Sequence, residues 1–256
     1  TEKEYNLKEK NYPKNLGYRE KFNNRSLRFE KLIGGYKKIN YEDFLTIKYD
    51  QEYANPIFCP FKINKIFEVS FNDSAELVDI LSIIQSWDRK ANVDNIGAAQ
   101  FSIFYKNLRK KLKKINFDFD REIPDSLLLE SLQKTKNQIL RSFDKLNISL
   151  GEYQKHVRAD VEIPIGGLVD MIAESSSSKY KDGKVKVVKG DSYIMLVKFG
   201  DDLPEIETVL PYGISNRIKS PHFTDQMNLY ASQKRKKMTL DKTEIYKNAS
   251  NIYHPK

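Results

Sequence analysis

A chain of 256 residues, 39% hydrophobic and 12% aromatic, is long enough to bury a core of its own, as one large domain or two modest ones. Its 44 Lys and Arg against 35 Asp and Glu leave a net charge of +9, but the two signs alternate along most of the chain, which reads as a solvated surface rather than a nucleic-acid face. No apolar run approaches the roughly 20 residues of a membrane span, and the single cysteine, Cys59, excludes an internal disulfide.

Thr1 to Gly17 has no consistent period and reads as an exposed lead-in; Thr1 to Lys10 is charged with no apolar middle, so no signal peptide is read there. A terminal threonine could in principle use its own α-amine as base, but no apolar strand follows to hold it in a pocket, and that reading is rejected. A helix is expected from about Asn24 to Ile33, with Leu27, Leu32 and Ile33 inward and Gly34-Gly35 ending it. Asn40 then caps a short helix through Tyr49, with Phe44 and Ile47 inward. Pro56 and Pro60 flank an apolar bend that contains Cys59. Asp73 with Glu76 three residues on reads as a capping box, opening a helix whose buried stripe is Leu77, Ile80, Leu81, Ile84 and Trp87. The only tryptophan is thus a core anchor.

Phe101, Phe104, Leu108, Leu112 and Ile115 make the next helical stripe, and the basic run Arg109 to Lys114 sits at its far end, where cations favour the helix dipole. Pro124-Asp125 opens another helix with Leu128, Leu132, Ile139, Phe143 and Leu146 inward. Past residue 150 the composition shifts. Pro164 and Gly166-Gly167 mark turns, Ser175 to Ser178 a mobile loop, and Val169 to Ala173 and Lys184 to Val188 strands. Asp191 to Phe199 reads as a strand buried on both faces, and Glu205 to Leu210 as its neighbour across the turn Gly200-Asp201-Asp202. A polar loop with Gly213, Ser215 and Ser220-Pro221 leads to a short helix near Thr224, and Lys234 to Lys237 is the second basic run.

The three histidines, His156, His222 and His254, lie far apart and offer no zinc spacing. No Ser-His-Asp order, phosphate loop or dinucleotide fingerprint is present. His222 reads as a structural side chain satisfying loop carbonyls. The residues alone support a basic α+β protein of unspecified activity.

Three ordered motifs carry a resemblance: Gly190-Asp191-Ser192-Tyr193-Ile194-Met195, Thr208 to Ser215 (TVLPYGIS), and Ser220 to Gln226 (SPHFTDQ). Asn23-Asn24-Arg25-Ser26-Leu27-Arg28, Tyr41-Glu42-Asp43-Phe44, Trp87-Asp88 with Gly97-Ala98-Ala99, and Gly151-Glu152 through Pro164 to Gly167 add to it, Leu150 standing where the family has tryptophan. The wording resembles the C-terminal half of the large chain of the penicillin acylase family, especially its acyl-homoserine-lactone and aculeacin acylase branch, and Tyr253-His254-Pro255 resembles a family terminus.

That resemblance implies an N-terminal-nucleophile amidohydrolase of α+β class, with a helical segment 1–150 and a β-rich segment 151–256 contributing to a four-layer αββα core, both parts of one larger chain. It implies cleavage of a linear amide to release an acyl group, by a serine whose own α-amine is the base and an asparagine that stabilises the oxyanion. Both are expected upstream of Thr1, so the chain reads as a fragment, inactive alone, whose partners are the rest of the large chain and the small chain. Its unpaired strand edges favour self-association, and the family implies a periplasmic or secreted place. Arg25 matches the family arginine that orients the catalytic groups, and Arg28 is expected to tolerate lysine. Ser192, Tyr193, His222, Asp225 and Gln226 are motif positions of structural role. No metal ligand or cofactor is read; the calcium some members hold would need a carboxylate in Tyr12-Pro13-Lys14-Asn15-Leu16, which has none. A basic nucleic-acid-binding module and a purely structural subunit descended from acylases are the alternatives, and no nucleic acid or membrane partner is expected.

Overall fold

Helix α1, Asn24–Ile33, begins where Asn23 accepts from the Ser26 amide at 2.8 Å and the Ser26 hydroxyl receives the Asn23 amide at 3.1 Å, a reciprocal cap. This computed structural model describes Pro13 and residues 23–70, 75–201 and 203–252. The lead-in (Pro13 apart), Asp73 of the expected cap, Asp202 and the Tyr253-His254-Pro255 terminus lie outside the described residues. Helix α2, Tyr41–Lys48, carries the same kind of cap from Asn40 and Asp43. It is turned differently from expectation. Ile47 is buried, but Phe44 is 43% exposed. Tyr41 and Leu45, one turn apart, are the residues that pack inward instead.

The remaining helices of the first half are α3 (Val78–Gln85), entered through a 3-10 turn Ala75–Leu77, then α4 (Ala98–Lys114) and α5 (Asp125–Phe143). Their stripes are buried as the periodicity predicts, from Leu77 through Trp87 on α3 and its exit to Leu112 on α4 and Ile139 on α5. Ile115 is the exception. It falls just past the last turn of α4 and is 48% exposed. Gly97 precedes α4 at φ 103°, and a Cβ there would stand 2.7 Å from the Trp87 Cβ. Only glycine permits that backbone and that approach.

A short helix α6, Leu150–Tyr153, runs directly into β1, Gln154–Arg158. With β2 (Val161–Pro164), β3 (Ser176–Lys179) and β4 (Val185–Lys189) it builds a four-stranded sheet in the order β2-β1-β4-β3. β1 pairs antiparallel with β2 and parallel with β4, and β3 closes the edge antiparallel to β4. Two expectations are corrected here. The serine run is not a loop but the edge strand β3, because small polar residues suit an edge whose ladder is supplied by the valine-rich β4. Val169 to Ala173 is a turn, not a strand: Asp170 has φ 64°, the Val169 carbonyl accepts from the Tyr53 hydroxyl at 2.7 Å, and the Ala173 amide donates to Asp50 at 3.0 Å. Its backbone groups are already committed elsewhere.

β5 (Ile194–Lys198), β6 (Glu205–Val209) and β7 (Lys236–Met238) form a second, antiparallel sheet in sequence order. Between β6 and β7 lies α7 (Met227–Ala231), and α8 (Lys242–Asn248) follows β7. The expected two-sided burial of the Asp191–Phe199 strand is wrong. Ile194 and Leu196 pack with Val209 against Tyr41, Leu45, Tyr49, Leu229 and Tyr230, while Tyr193 is 50%, Met195 49% and Phe199 82% exposed. β4 behaves likewise, with Val185 and Val187 buried and Val188 exposed. Each strand has packing on one face alone. The larger core joins α3, α4 and α5 to Tyr153, Leu168, Met171 and Val185, so helices and the four-stranded sheet share one apolar interior.

Candidate functional site

The site is built around the start of α1. Asn24, 4% exposed, exchanges two 2.7 Å hydrogen bonds with the backbone of Phe58, its Nδ2 donating to the carbonyl and its Oδ1 accepting from the amide. Its own amide and Nδ2 donate to Asp170 at 3.0 and 3.2 Å. One asparagine therefore ties the helix N-terminus to the Pro56–Pro60 bend and to the turn after β2. A carboxylate taking donors at a helix start is also favourably placed for the dipole. Arg25, the next residue, is held by that frame, and its Nη2 pairs with Glu174. Glu174 in turn accepts from the Ser176 hydroxyl at 2.6 Å. Among the described residues the other guanidinium nitrogens of Arg25 have no hydrogen bond, and the side chain is 46% exposed.

Arg28, one turn on, is used in another way. Its Nε and Nη2 grip Asp50 at 2.8 to 3.2 Å and Nη1 and Nη2 grip Glu52 at 3.0 to 3.1 Å, with the side chain 11% exposed. Hydrogen bonding to Asp50 raises its pKa further above the arginine norm, against the opposing effect of burial. It is a structural hub, which corrects the expectation of a tolerant position.

Behind Asn24 opens a cavity of about 470 Å³ between the Pro56–Pro60 bend, α4 and β3. Tyr53, Phe58, Phe101 and Leu168 give it apolar walls, and Lys106, Arg109 and the hydroxyls of Ser175 to Ser177 give it polar ones. Cys59 borders it, and burial raises its thiol pKa, which keeps the sulfur protonated.

The motif residues of the last third lie apart from Arg25. Ser192 is exposed and Tyr193 half exposed at the entry to β5. His222 Nδ1 meets Asp225 Oδ2 at 2.9 Å on the surface, and Gln226, 3% exposed, accepts from the Leu210 amide at 2.9 Å. Gln226 therefore fastens the end of β6 to the start of α7. No hydrogen bond or ion pair among the described residues joins this group to Arg25. The loop is clamped from below by residues the motifs did not single out. Arg158 lies over the Phe223 ring at 3.9 Å and the Tyr212 ring at 5.0 Å and donates to the Phe223 and Ser215 carbonyls at 2.6 and 3.1 Å. His156 stacks on Tyr212 at 4.7 Å, its Nε2 bonded to the Pro211 carbonyl, and burial lowers its pKa. Glu174, Asp170 and Lys106 were also missed. Each is a lone polar residue whose partner is distant in sequence, and no local spacing marks it.

Among the described residues no group of three or more His, Cys, Asp or Glu could hold a metal ion, and no helix is long and apolar enough to cross a membrane. The expected calcium segment lies outside the described residues save Pro13. Of the basic runs, Lys111 pairs with Glu130 at 2.5 Å and Arg235, 11% exposed, with Glu207 at 3.2 Å, so part of their charge is already answered within the chain.

Mixed helices and sheets with this cluster of motifs define the class as a penicillin-acylase-type α+β protein. The penicillin amidase family profile matches residues 3–247, and the chain belongs to that family. It is similar to the acyl-homoserine lactone acylase PvdQ of Pseudomonas fluorescens (strain Pf0-1), 23% identical over 177 residues that cover 62% of this chain and 23% of the relative. To the PvdQ of Pseudomonas savastanoi pv. phaseolicola it is 22% identical over 192 residues, covering 68% of this chain and 25% of the relative. A solved thermostable penicillin G acylase from Alcaligenes faecalis overlaps 93% of this chain and 54% of its own, at 12% identity and a TM-score of 0.46. The chain spans about a quarter of the length of the curated relatives it matches.

Proposed function

We propose that the protein is part of an amidohydrolase that cleaves a linear amide to release an acyl group, and that Arg25 is a positioning residue in it. The observation that carries this is the mounting of Arg25. A capped helix start and the Asn24 bonds fix its backbone, Glu174 holds one edge of the guanidinium, and among the described residues its other donors have no partner. A planar fork held on one side can orient an amide or carboxyl group on the other. In this reading the nucleophilic serine and the oxyanion asparagine belong to the rest of a larger catalytic chain, which with a small chain forms the working enzyme, periplasmic or secreted. The wording of the motifs and the lactone acylases among the relatives favour an apolar acyl group. No cofactor enters the reaction.

The test is Arg25→Lys in the complete enzyme, assayed with fatty-acyl amides. Turnover should fall by about 100-fold with KM and melting temperature unchanged. Full turnover in that variant would remove Arg25 from the site. The 256-residue chain by itself should hydrolyse no amide above a heat-inactivated control; clear turnover would place the nucleophile within it.

A further inference from the structure

The cavity behind Asn24 has a chemical character that the proposed amide cleavage does not use. Lys106 and Arg109 stand one turn apart on α4 and both border it. Among the described residues neither has a carboxylate within ion-pair distance, whereas Arg28, Lys48, Lys136 and Arg235 each do. The one carboxylate on the wall, Asp170, is taken by the amide and side chain of Asn24. Among the described residues Lys106 makes long contacts, 3.3 Å to the Ser177 hydroxyl and 3.4 Å to the Tyr153 hydroxyl, and lies 5.5 Å from the Tyr153 ring centre. Lys106 and Arg109 are both exposed residues, so the cations border the cavity from its solvent side. The opposite wall is apolar, and the volume falls within the range of small-molecule sites.

We infer that this cavity binds a small organic carboxylate with an apolar body, the charged end on Lys106, Arg109 and the β3 serines and the body against Tyr53, Phe58, Phe101 and Leu168. Two neighbouring cations on a cavity wall with no counter-charge among the described residues are an incomplete arrangement, and a carboxylate completes it. Protein packed around Lys106 pushes its pKa down to about 8, so an arriving anion raises it again and binding takes up a proton near and above that pH. Ser176 also bonds Glu174, which holds Arg25, so occupancy of the cavity reaches Arg25 through two hydrogen-bonded side chains. The inference rests on the cavity alone and stands whether or not the amidase reading holds.

Calorimetry on the complete protein tests it with 3-phenylpropionate against the uncharged 3-phenylpropionamide. At neutral pH the acid should bind at least about tenfold more tightly, because only it supplies a charge-assisted bond. That preference should shrink as pH rises through about 8, in step with Lys106 losing its proton. Lys106→Met should sharply reduce the preference, and Lys106→Met with Arg109→Met should abolish it, while amide binding stays in place. Should that variant not fold, the acid-to-amide ratio and its pH dependence in the unsubstituted protein decide. A third probe, 3-phenylpropionylglycine, separates sources: its binding beside the acid admits carboxylate-bearing amides, and its failure confines the site to free acids. Equal binding of acid and amide, no binding of either, or a preference undiminished by Lys106→Met overturns the inference. None of these readouts depends on turnover.

Discussion

Arg25 and Arg28 lie on the same side of α1, one turn apart, and their surroundings assign them different work. Arg28 satisfies two carboxylates with all three guanidinium nitrogens while nearly buried. Lysine keeps the charge but cannot span both partners in one plane. Arg28→Lys should therefore lower stability by about 2 kcal/mol, the value of hydrogen bonds to charged groups, as read by urea unfolding. Arg25 is half exposed, and the same change there should alter stability by under ~1 kcal/mol. Equal effects at the two positions would deny the distinction. Gly97 is as sharp a case. A methyl at φ 103° against the Trp87 Cβ combines backbone strain with overpacking, and Gly97→Ala should cost about 2 kcal/mol or more.

Between elements, the clamp of β1 on the loop from Pro211 to Phe223 should make stability sensitive to mild acid. His156 is 2% exposed among Tyr212 and Tyr230, its Nδ1 lacks a partner among the described residues, and burial lowers its pKa. The folded state therefore resists the proton that the unfolded chain accepts near pH ~6.5. The sign follows: the contribution of neutral His156 is complete above that pH and is lost as pH falls through and below it. Melting temperature should drop between about pH 7 and 5, and His156→Phe, which keeps a flat ring but not the titration, should flatten that slope. An equal slope in the variant would place the acid sensitivity elsewhere.

At the scale of the molecule, among the described residues, the second sheet buries Ile206 and Thr208 on its central strand but leaves apolar side chains of the same outer face exposed along β5. Val197, Ile206 and Met238 align across three strands, Met195 sits beside them at 49% exposure, and Phe199 is 82% exposed just past β5. Such a face favours association. The 256-residue chain on its own should self-associate and bind an apolar dye, and Met195→Lys with Phe199→Lys should lower both without loss of helix content. A monodisperse monomer that binds no dye would show the face to be harmless as it stands.

What the chain announced by itself were the features that short-range physics decides. The stripes Leu77 to Trp87, Phe101 to Leu112 and Leu128 to Ile139 have a period near that of a helix and are buried along it, and the cap at Asn40 is made by residues three apart. The motif wording carried the family, since ordered residue identities survive at low overall identity. Periodicity does not say which side of a strand meets a neighbour, so Met195 and Val188 came out exposed and Phe44 turned outward. It also cannot foresee a ladder formed with a distant strand, which made β3 from serines, or distant hydrogen bonds, which made a turn of Val169 to Ala173. The candidate site divides in the same way. Arg25 was legible because it belongs to a motif, whereas Glu174, Asp170 and Lys106 acquire meaning from partners on distant parts of the chain or from the cavity they border. Arg25 and Glu174 are 149 residues apart and Asn24 and Asp170 are 146 apart, separations that only tertiary folding closes.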